Sequence, residues 1–330
     1  MTQACQSYRP QAGAPFIWPD QFGTRFTIVV DTEEEFDWTK PLARENRAVT
    51  AVAALPDAHR RFADRGVAMT YAIDHPIATD PRAIDIIRGL LEDGRSAVGT
   101  QLHPWVNPPF DEEVTPYNSF TGNLPADLEA AKLDNLTDAI TDAFGDRPKM
   151  YRAGRYGLGP RSLALLASRG YRIDSSMRSG YDYSGEGGPD FSAIGNDAFH
   201  AAPGLVELPL TTIYTGVAKR GGIGLYNALG KVPKGRGLFS RAGLLSRVGL
   251  TPEEMPLRDV LKAIDVALEG GVRLLSFSFH SPTVETGHTP YVRDAADLRD
   301  FYRWWDEVLA LLDRRGVANA SLDELLAATA

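Results

Sequence analysis

The stretch FTIVVDTEEEFDW, residues 26–38, sets the pattern from which the fold follows. Its first five residues form a β-branched apolar run, which is typical of a buried strand, and the run ends directly at Asp31. A helical stretch around residues 47–65 comes next and is closed by Gly66, and a second apolar strand is predicted at 67–73. This order predicts parallel strands that are joined by crossover helices.

The same alternation continues along the rest of the chain. It predicts strands at 96–102, 149–154, 171–177, 205–213 and 272–279, and helices at 83–94, 124–145, 160–170, 256–271 and 294–316. Seven or eight strands in one alternating series favour a single barrel-like α/β domain over two domains. We expect residues 1–23, which are rich in Pro, Gly and Gln, to form an irregular lead-in, and residues 24–330 to form the barrel.

One segment breaks the alternation. Residues 214–250 contain seven Lys and Arg residues and no acidic residue. We expect an insertion at one end of the barrel. It is either a solvated, flexible loop or a lid that meets an anionic substrate or an anionic partner surface.

Composition and charge exclude several classes of protein. The 330 residues are 43% hydrophobic and 24% charged, as in ordinary soluble globular proteins. The net charge of −8 argues against a general binder of nucleic acids or anionic membranes. Cys5 is the only cysteine, which excludes an intrachain disulfide and a cysteine-based zinc site.

Targeting signals and common catalytic motifs are not found in the sequence. It has no apolar run of about 18 residues, and its first residues do not have the pattern of a signal peptide. We therefore expect a cytoplasmic protein without a transmembrane segment. The motifs GxSxG, GxxxxGK[ST] and HExxH do not occur, which disfavours a serine hydrolase, a P-loop enzyme and a zincin.

Crowded carboxylates follow the first predicted strand. Asp31 ends this strand, and Glu33, Glu34, Glu35 and Asp37 come directly after it. Such a cluster raises a pKa, binds a cation or is solvated. We expect a solvated acidic turn for Glu34, Glu35 and Asp37. Asp31 is a candidate for catalysis, because active sites of parallel barrels lie at the C-terminal ends of the strands.

Four further strand ends carry groups that can take part in chemistry. His103 lies between Gly and Pro residues and is either structural or a metal ligand. Arg152 and Arg155 suit carboxylate recognition, although a surface turn would look the same. Asp174 is followed by two serines and is equally well explained as a cap. His280 ends an apolar strand, where its ordinary pKa near 6.5 suits a general acid or base.

The order and framing of these motifs resemble those of the polysaccharide deacetylase superfamily (NodB homology, carbohydrate esterase family 4). The resemblance extends over roughly residues 24–325. VVDTEEEFDW is similar to the first motif of that family, GTQLHPW to its metal-binding histidine motif, YRAGRYG to the third, RIDSS to the fourth and SFSFHSP to the last. The resemblance implies a distorted (β/α)7-type barrel and metal-dependent removal of an N- or O-acetyl group from a sugar.

The resemblance also implies the catalytic roles. Asp31 would be the general base, and Arg152 would orient it. His280 would be the acid that protonates the leaving group, and Asp174 would orient this histidine.

A divalent metal ion, Zn or else Co, Mn or Ni, is implied as the cofactor. Glu33 and His103 would be ligands. Gln101 stands where the family has another histidine, so it would be a poor additional ligand, and the metal site could equally be empty.

Four residues near the strand ends are candidates for substrate binding. Trp38, Trp105 and Tyr156 could stack on sugar rings, as could Tyr181, although packing at the barrel mouth is the simpler explanation for each aromatic. Arg155 is the fourth candidate.

We therefore expect a hydrolase that deacetylates a sugar or a nucleotide-linked, lipid-linked or other glycan precursor. A catalytically altered protein of the same fold, which binds glycan or acts in polysaccharide assembly without a functional metal site, is the alternative. Hydrolysis of a non-sugar amide is a third, lesser possibility.

Overall fold

The structure is a computed structural model that describes residues 8–330. The predicted lead-in at 1–23 therefore lies partly outside the described residues, as does Cys5. Within this range the strands are β1 (Arg25–Thr32), β2 (Thr70–Ile73), β3 (Ala97–Leu102), β4 (Met150–Ala153), β5 (Ile173–Asp174), β6 (Phe199–Ala202), β7 (Leu205–Glu207), β8 (Thr212–Thr215), β9 (Ser246–Gly249), β10 (Leu274–His280) and β11 (Ala318–Asn319). The α-helices of the same residues are α1 (Leu55–Ala63), α2 (His75–Thr79), α3 (Pro81–Leu90), α4 (Ala126–Phe144), α5 (Ser162–Ser168), α6 (Gly222–Gly230), α7 (Gly235–Arg241), α8 (Leu257–Glu269), α9 (Ala295–Arg314) and α10 (Leu322–Ala328).

The main sheet has the strand order β10-β1-β2-β3-β4-β5-β7-β6, and β11 pairs with the start of β1. The ladders from β10 to β7 are parallel, and β6 is antiparallel to β7. Within residues 8–330 no ladder joins β10 to β6, so the sheet curls into a half-barrel. The predicted single α/β domain with a distorted barrel is confirmed.

Alternation along β1 explains how the barrel is filled. Phe26, Ile28 and Val30 belong to the large core cluster that also contains Phe62 of α1 and Trp305 of α9. These side chains therefore face the surrounding helices. The opposite face of the strand carries Thr27, Val29 and Asp31, because successive side chains of a strand point to opposite faces.

The helices begin and end at residues whose chemistry suits those positions. Asp80 and Asp294 accept hydrogen bonds from the first backbone N–H groups of α3 and α9. Ser321 and Glu324 form a capping box at α10. Gly145 ends α4 with a φ of 89°, a conformation that glycine adopts without steric cost.

The strand predicted at 205–213 is in fact two strands. Pro209 lies between β7 and β8 and has no N–H to donate to a ladder. The chain leaves the main sheet there, and β8 pairs antiparallel with β9 instead.

The segment 214–250 contains α6, α7 and β9. The segment that we expected to be a solvated, flexible loop or a lid therefore contains regular secondary structure. Among the described helices, none is both long and apolar enough to cross a membrane.

Candidate acid–base site at the C-terminal ends of the strands

The C-terminal ends of β1, β3, β4 and β10 form the floor of a cavity of about 500 Å³. The cavity is lined by Asp31, Glu33, Phe36, Trp38, Lys40, Pro41, Leu42, Gln101, His103, Trp105, Val114, Thr115, Pro116, Phe120, Arg152, Ala153, Arg155, Tyr156, Arg178, Tyr183, Glu186, Glu254, His280 and Tyr291. No residue of 214–250 is among them, so this segment contributes no side chain to the cavity wall, and its role as a lid stays a prediction. Asp174 is not a lining residue either.

Asp31 and His280 form the centre of the floor. They are register partners on the parallel strands β1 and β10, and the Asp31 Oδ2 lies 3.9 Å from the His280 Nε2. The guanidinium of Arg152, which is fully buried, donates a 2.8 Å hydrogen bond from Nη1 to the Asp31 Oδ1. Arg152 is itself held by the backbone and hydroxyl oxygens of Ser175. The carboxylate therefore has a charge-matched partner that fixes its position.

His280 is held by a glutamate that sequence reasoning missed. The His280 Nδ1 lies 2.8 Å from the Glu253 Oε2, and the backbone N–H of His280 donates to the Glu253 Oε1. Burial alone would lower the pKa of His280, but the carboxylates of Glu253, Glu33 and Asp31 outweigh it and raise that pKa to about 10. The imidazole is therefore cationic at neutral pH, with a proton on the Nε2 that faces the cavity.

The predicted orienting contact between Asp174 and His280 is wrong. The Asp174 carboxylate accepts a hydrogen bond from Ser176, and it lies beside Glu207 on the neighbouring strand β7. Burial raises the pKa of Asp174 to about 6 and, together with the charge of Asp174, raises that of Glu207 well above its usual range. The two carboxyl groups form a buried pair in which burial favours the protonated form of both.

The three predicted metal ligands are brought into contact beside this centre. The Gln101 Nε2 donates a 2.8 Å hydrogen bond to the Glu33 Oε2 and lies 3.1 Å from the His103 Nε2. The Glu33 Oε2 and the His103 Nε2 are 3.6 Å apart. Burial raises the pKa of Glu33 to about 8 and lowers that of His103. The amide of Gln101 therefore bridges a carboxyl group and an imidazole, both of which are removed from water.

A second layer of polar contacts supports His103. Its Nδ1 lies 2.8 Å from the Glu34 Oε2, and the indole of Trp105 donates to the Glu34 Oε1 at 2.7 Å. The backbone N–H of Glu34 donates to the Asp74 Oδ2. Glu34 and Asp74 are fully buried, and burial raises the pKa of both. The expectation that Glu34 is solvated is therefore wrong.

Glu34, Asp74 and His103 also form a group that can hold a metal ion. Their potential ligand atoms all lie within 4.8 Å of one another. Asp74 meanwhile caps α2 by accepting from the Ile77 N–H.

The predicted substrate-binding residues have different surroundings. Trp38 is 37% exposed and stacks on Phe36. Its ring is nearly perpendicular to that of His280, with the two ring centres 5.1 Å apart. Trp105 is only 2% exposed and stacks on His103 at 4.3 Å. Trp38 therefore keeps exposed ring surface at the cavity, whereas Trp105 lines the cavity but has one face stacked on His103 and little exposed area. Sugar stacking by either residue stays a prediction.

Arg155 and Tyr156 line the cavity on a strained turn. Both have positive φ angles, 50° and 60°, which cost of order 1–3 kcal/mol each for residues with side chains. Arg155 donates to Ser119 at 2.5 Å and to Glu186 at 2.6 Å. The preceding Gly154 is required, because a Cβ there would lie 2.2 Å from the His103 ring. The turn therefore holds Arg155 and Tyr156 against the cavity while leaving room for His103.

The donor set of Glu33, Gln101 and His103 fits a divalent cation. The Gln101 Oε1 is buried and has no hydrogen-bond partner among the described residues. A half-turn of the amide would place this oxygen next to the Glu33 Oε2 and the His103 Nε2. The other nitrogen of His103 contacts a carboxylate, as is usual for histidines that bind metals. A mixed oxygen and nitrogen set of this kind suits Zn, Co, Mn or Ni.

Comparison with known proteins supports the fold. No protein-family model matches the sequence, and no curated protein matches it. Among solved structures, the Puue allantoinase is 13% identical, with a TM-score of 0.53, and the match covers 94% of this chain and 91% of that one. A GH57-type branching enzyme from Pyrococcus horikoshii is 12% identical, with a TM-score of 0.51, and covers 92% and 70%.

A protein of Mycobacterium smegmatis that is assigned as a polysaccharide deacetylase is 18% identical, with a TM-score of 0.48 and coverage of 96% and 94%. At identities this low, the allantoinase and the branching enzyme show a shared α/β half-barrel and do not define an activity.

Proposed function

We propose that the protein is a deacetylase-like hydrolase that removes an acetyl group from the nitrogen or oxygen of a sugar or glycan precursor. The observation that carries this proposal is the pairing of Asp31 and His280 on the cavity floor. Each has its own partner of opposite charge, Arg152 and Glu253, at 2.8 Å. A carboxylate and a cationic imidazole fixed 3.9 Å apart can serve as a base and an acid for one reaction.

The two residues divide the proton transfers of hydrolysis between them. Asp31 accepts a proton from the attacking water as a bond forms between the water oxygen and the acetyl carbon. His280 donates its Nε2 proton to the leaving nitrogen or oxygen as the bond to the acetyl carbon breaks. The contact with Glu253 keeps the Nδ1 proton in place, so the Nε2 proton is the one that moves.

A divalent ion, Zn or else Co, Mn or Ni, would be held by Glu33, His103 and Gln101. When bound, it would supply a Lewis acid that polarises the acetyl carbonyl. The chain's own contribution is a rigid support for these ligands: Glu34 and the stacked Trp105 fix the ring of His103.

The cavity suits a substrate of sugar size. Its volume of about 500 Å³ lies within the ordinary range for small-molecule sites. Trp38 and Tyr156 offer aromatic surfaces for a sugar ring, and Arg155 offers hydrogen-bond donors. A glycan precursor with one or two sugar units in the cavity is therefore the substrate class that we propose.

The contacts of Gln101 favour one alternative. Its amide nitrogen lies within hydrogen-bond distance of the Glu33 Oε2 and the His103 Nε2. The lone pairs with which these two atoms would bind a cation therefore already have a partner. In that case the protein would bind a glycan, or act in polysaccharide assembly, without a functional metal site.

Acetate release from a panel of N- and O-acetylated sugars tests the proposal. The protein would be assayed after chelation and after addition of Zn, Co, Mn or Ni, with bound metal measured by elemental analysis. We expect about one ion per chain and acetate release that depends on it. Glycan binding without retained metal and without acetate release would favour the alternative. Turnover of linear amides alone would replace the sugar by another amide substrate.

A further inference from the structure

Residues 216–245, between β8 and β9, form an excursion that exposes apolar side chains. We name this region the basic excursion; it contains α6 and α7. Val217 is 82% exposed, Leu238 is 66% exposed and Val232 is 56% exposed. Seven large apolar side chains are exposed across residues 8–330, and three of them lie in this excursion. Three such side chains within 30 residues make the excursion a candidate interaction surface.

Cations without acidic partners accompany these apolar side chains. Arg220, Lys231, Lys234 and Arg241 form no ion pair with any described residue, whereas Lys219 reaches Glu269 at 3.5 Å. No acidic residue occurs anywhere in 214–250. The excursion is therefore strongly positive in a chain whose net charge is −8, and it presents a surface complementary to an anionic partner.

A ladder of alternating arginine and tyrosine side chains joins the excursion to the cavity wall. Arg178, a lining residue, lies 3.9 Å from the ring centre of Tyr181, and Arg247 lies over the same ring at 3.4 Å. Arg247 also lies over the ring of Tyr226 in α6 at 4.8 Å, and Arg236 of α7 lies over that ring at 4.4 Å. These cation–π contacts hold α6 and α7 next to the cavity.

We propose that the basic excursion docks the protein onto the surface of an anionic lipid bilayer. Exposed apolar side chains next to unpaired Lys and Arg are the pattern of segments that lie in a membrane interface. A nucleic acid would use the cations but has no place for Val217, Val232 and Leu238. The acidic remainder of the chain would be repelled by the same surface, so the excursion would be the side that approaches the lipid.

This docking does not depend on the proposed hydrolysis. If both are correct, the ladder places the cavity next to the bilayer, where a lipid-linked glycan precursor is presented.

Flotation with lipid vesicles tests the proposal. The full chain would be mixed with vesicles of phosphatidylcholine alone or with 30% phosphatidylserine. We expect binding to the anionic vesicles that weakens at least tenfold between 0.05 and 0.5 M salt, and little binding to the neutral ones, in line with the short screening length at high salt (about 3 Å at 1 M). The variant R220S/K231S/K234S/R241S should lose binding at least tenfold. V232S/L238S should weaken binding at low salt as well.

A matched control removes the same charge elsewhere. Arg82, Lys149, Arg299 and Arg314 are exposed and have no side-chain partner among residues 8–330, so R82S/K149S/R299S/R314S should bind vesicles like the wild type. Equal loss in both quadruple variants would overturn the proposal, as would binding to heparin or single-stranded DNA without binding to anionic vesicles. Acetate release from a soluble sugar should be unchanged in both variants, which separates a failure of docking from a failure of the proposed activity.

Discussion

The two halves of the cavity floor differ in how their buried charges are balanced. In the acid–base half, Asp31 and His280 each contact a partner of opposite charge, Arg152 and Glu253. In the ligand half, the buried carboxyl groups of Glu33, Glu34 and Asp74 lie around His103, whose pKa is lowered. Among residues 8–330, no Lys or Arg forms an ion pair with these carboxyl groups. The acid–base half is complete with the residues of the chain. The charge of the ligand half is balanced only by protons or by a bound cation.

Removing the partner of the acid tests whether the acid–base half works as a charged pair. Glu253→Gln keeps the shape and a hydrogen-bond acceptor for the His280 Nδ1, but removes the negative charge. The pKa of His280 should fall from about 10, and kcat should decrease by roughly 10–10²-fold. A pH–rate profile measures both effects, and the basic limb should move to lower pH.

Glu92→Gln is the control for this change, since Glu92 is exposed and lies outside the cavity lining. An unchanged basic limb in the Glu253→Gln variant would show that Glu253 does not set the proton affinity of His280.

Introducing a second imidazole tests whether the ligand half binds a metal ion. Gln101→His replaces the amide that bridges Glu33 and His103 by a better ligand for zinc. We expect the affinity for Zn or Co to rise by about tenfold or more, measured by isothermal titration calorimetry. Gln21→His, which adds a histidine at an exposed position, should leave the affinity unchanged. Equal affinities of the wild type and the Gln101→His variant would place the metal elsewhere, and the group Glu34, Asp74 and His103 would be examined next.

A smaller effect, on the pH dependence of stability, is expected from the buried carboxyl pair Asp174 and Glu207. The raised pKa values mean that folded Asp174 and Glu207 hold more protons than the unfolded chain above pH 4.5. Stability from this pair is therefore greatest at low pH. It declines as the pH rises through about 6, where Asp174 ionises, and declines further above that pH because the pKa of Glu207 is raised as well. In the Glu207→Gln variant the amide can donate a hydrogen bond to Asp174 in place of the proton, so the part of this dependence that is due to Glu207 should be lost.

Urea unfolding at pH 5 and pH 8 measures this effect. Relative to the wild type, Glu207→Gln should gain about 1–2 kcal/mol between pH 5 and pH 8. The same difference in the Glu92→Gln control, or no difference in either variant, would contradict the raised pKa of Glu207.

The residues that end strands could be placed from the sequence because strand ends share one edge of a parallel sheet. Asp31, Arg152 and His280 meet for this reason, and so do Gln101 and His103. Their roles in catalysis and metal binding stay predictions. The division of 205–213 into two strands was missed, although Pro209 was a visible signal for it.

The supporting contacts could not be placed from the sequence. Glu253 lies in the loop after β9, 27 positions before His280, and no local pattern distinguishes it from its neighbour Glu254. The burial of Glu34 depends on Trp105 and Asp74, which come from two other strand ends. The partners in a buried network are determined by tertiary contacts, and the periodicity of a sequence carries no information about those contacts.

Acetate release by Asp31→Asn and His280→Ala tests the central claim most directly. Both would be measured against the wild type on the best acetylated sugar, with circular dichroism to confirm the fold. Asp37→Asn is the matched control, because Asp37 is an exposed carboxylate six residues further along the chain. We predict that kcat/KM falls by about 10³-fold or more in both variants and is unchanged in the control. Activity within tenfold of the wild type in either folded variant would contradict the assignment of Asp31 as base and His280 as acid.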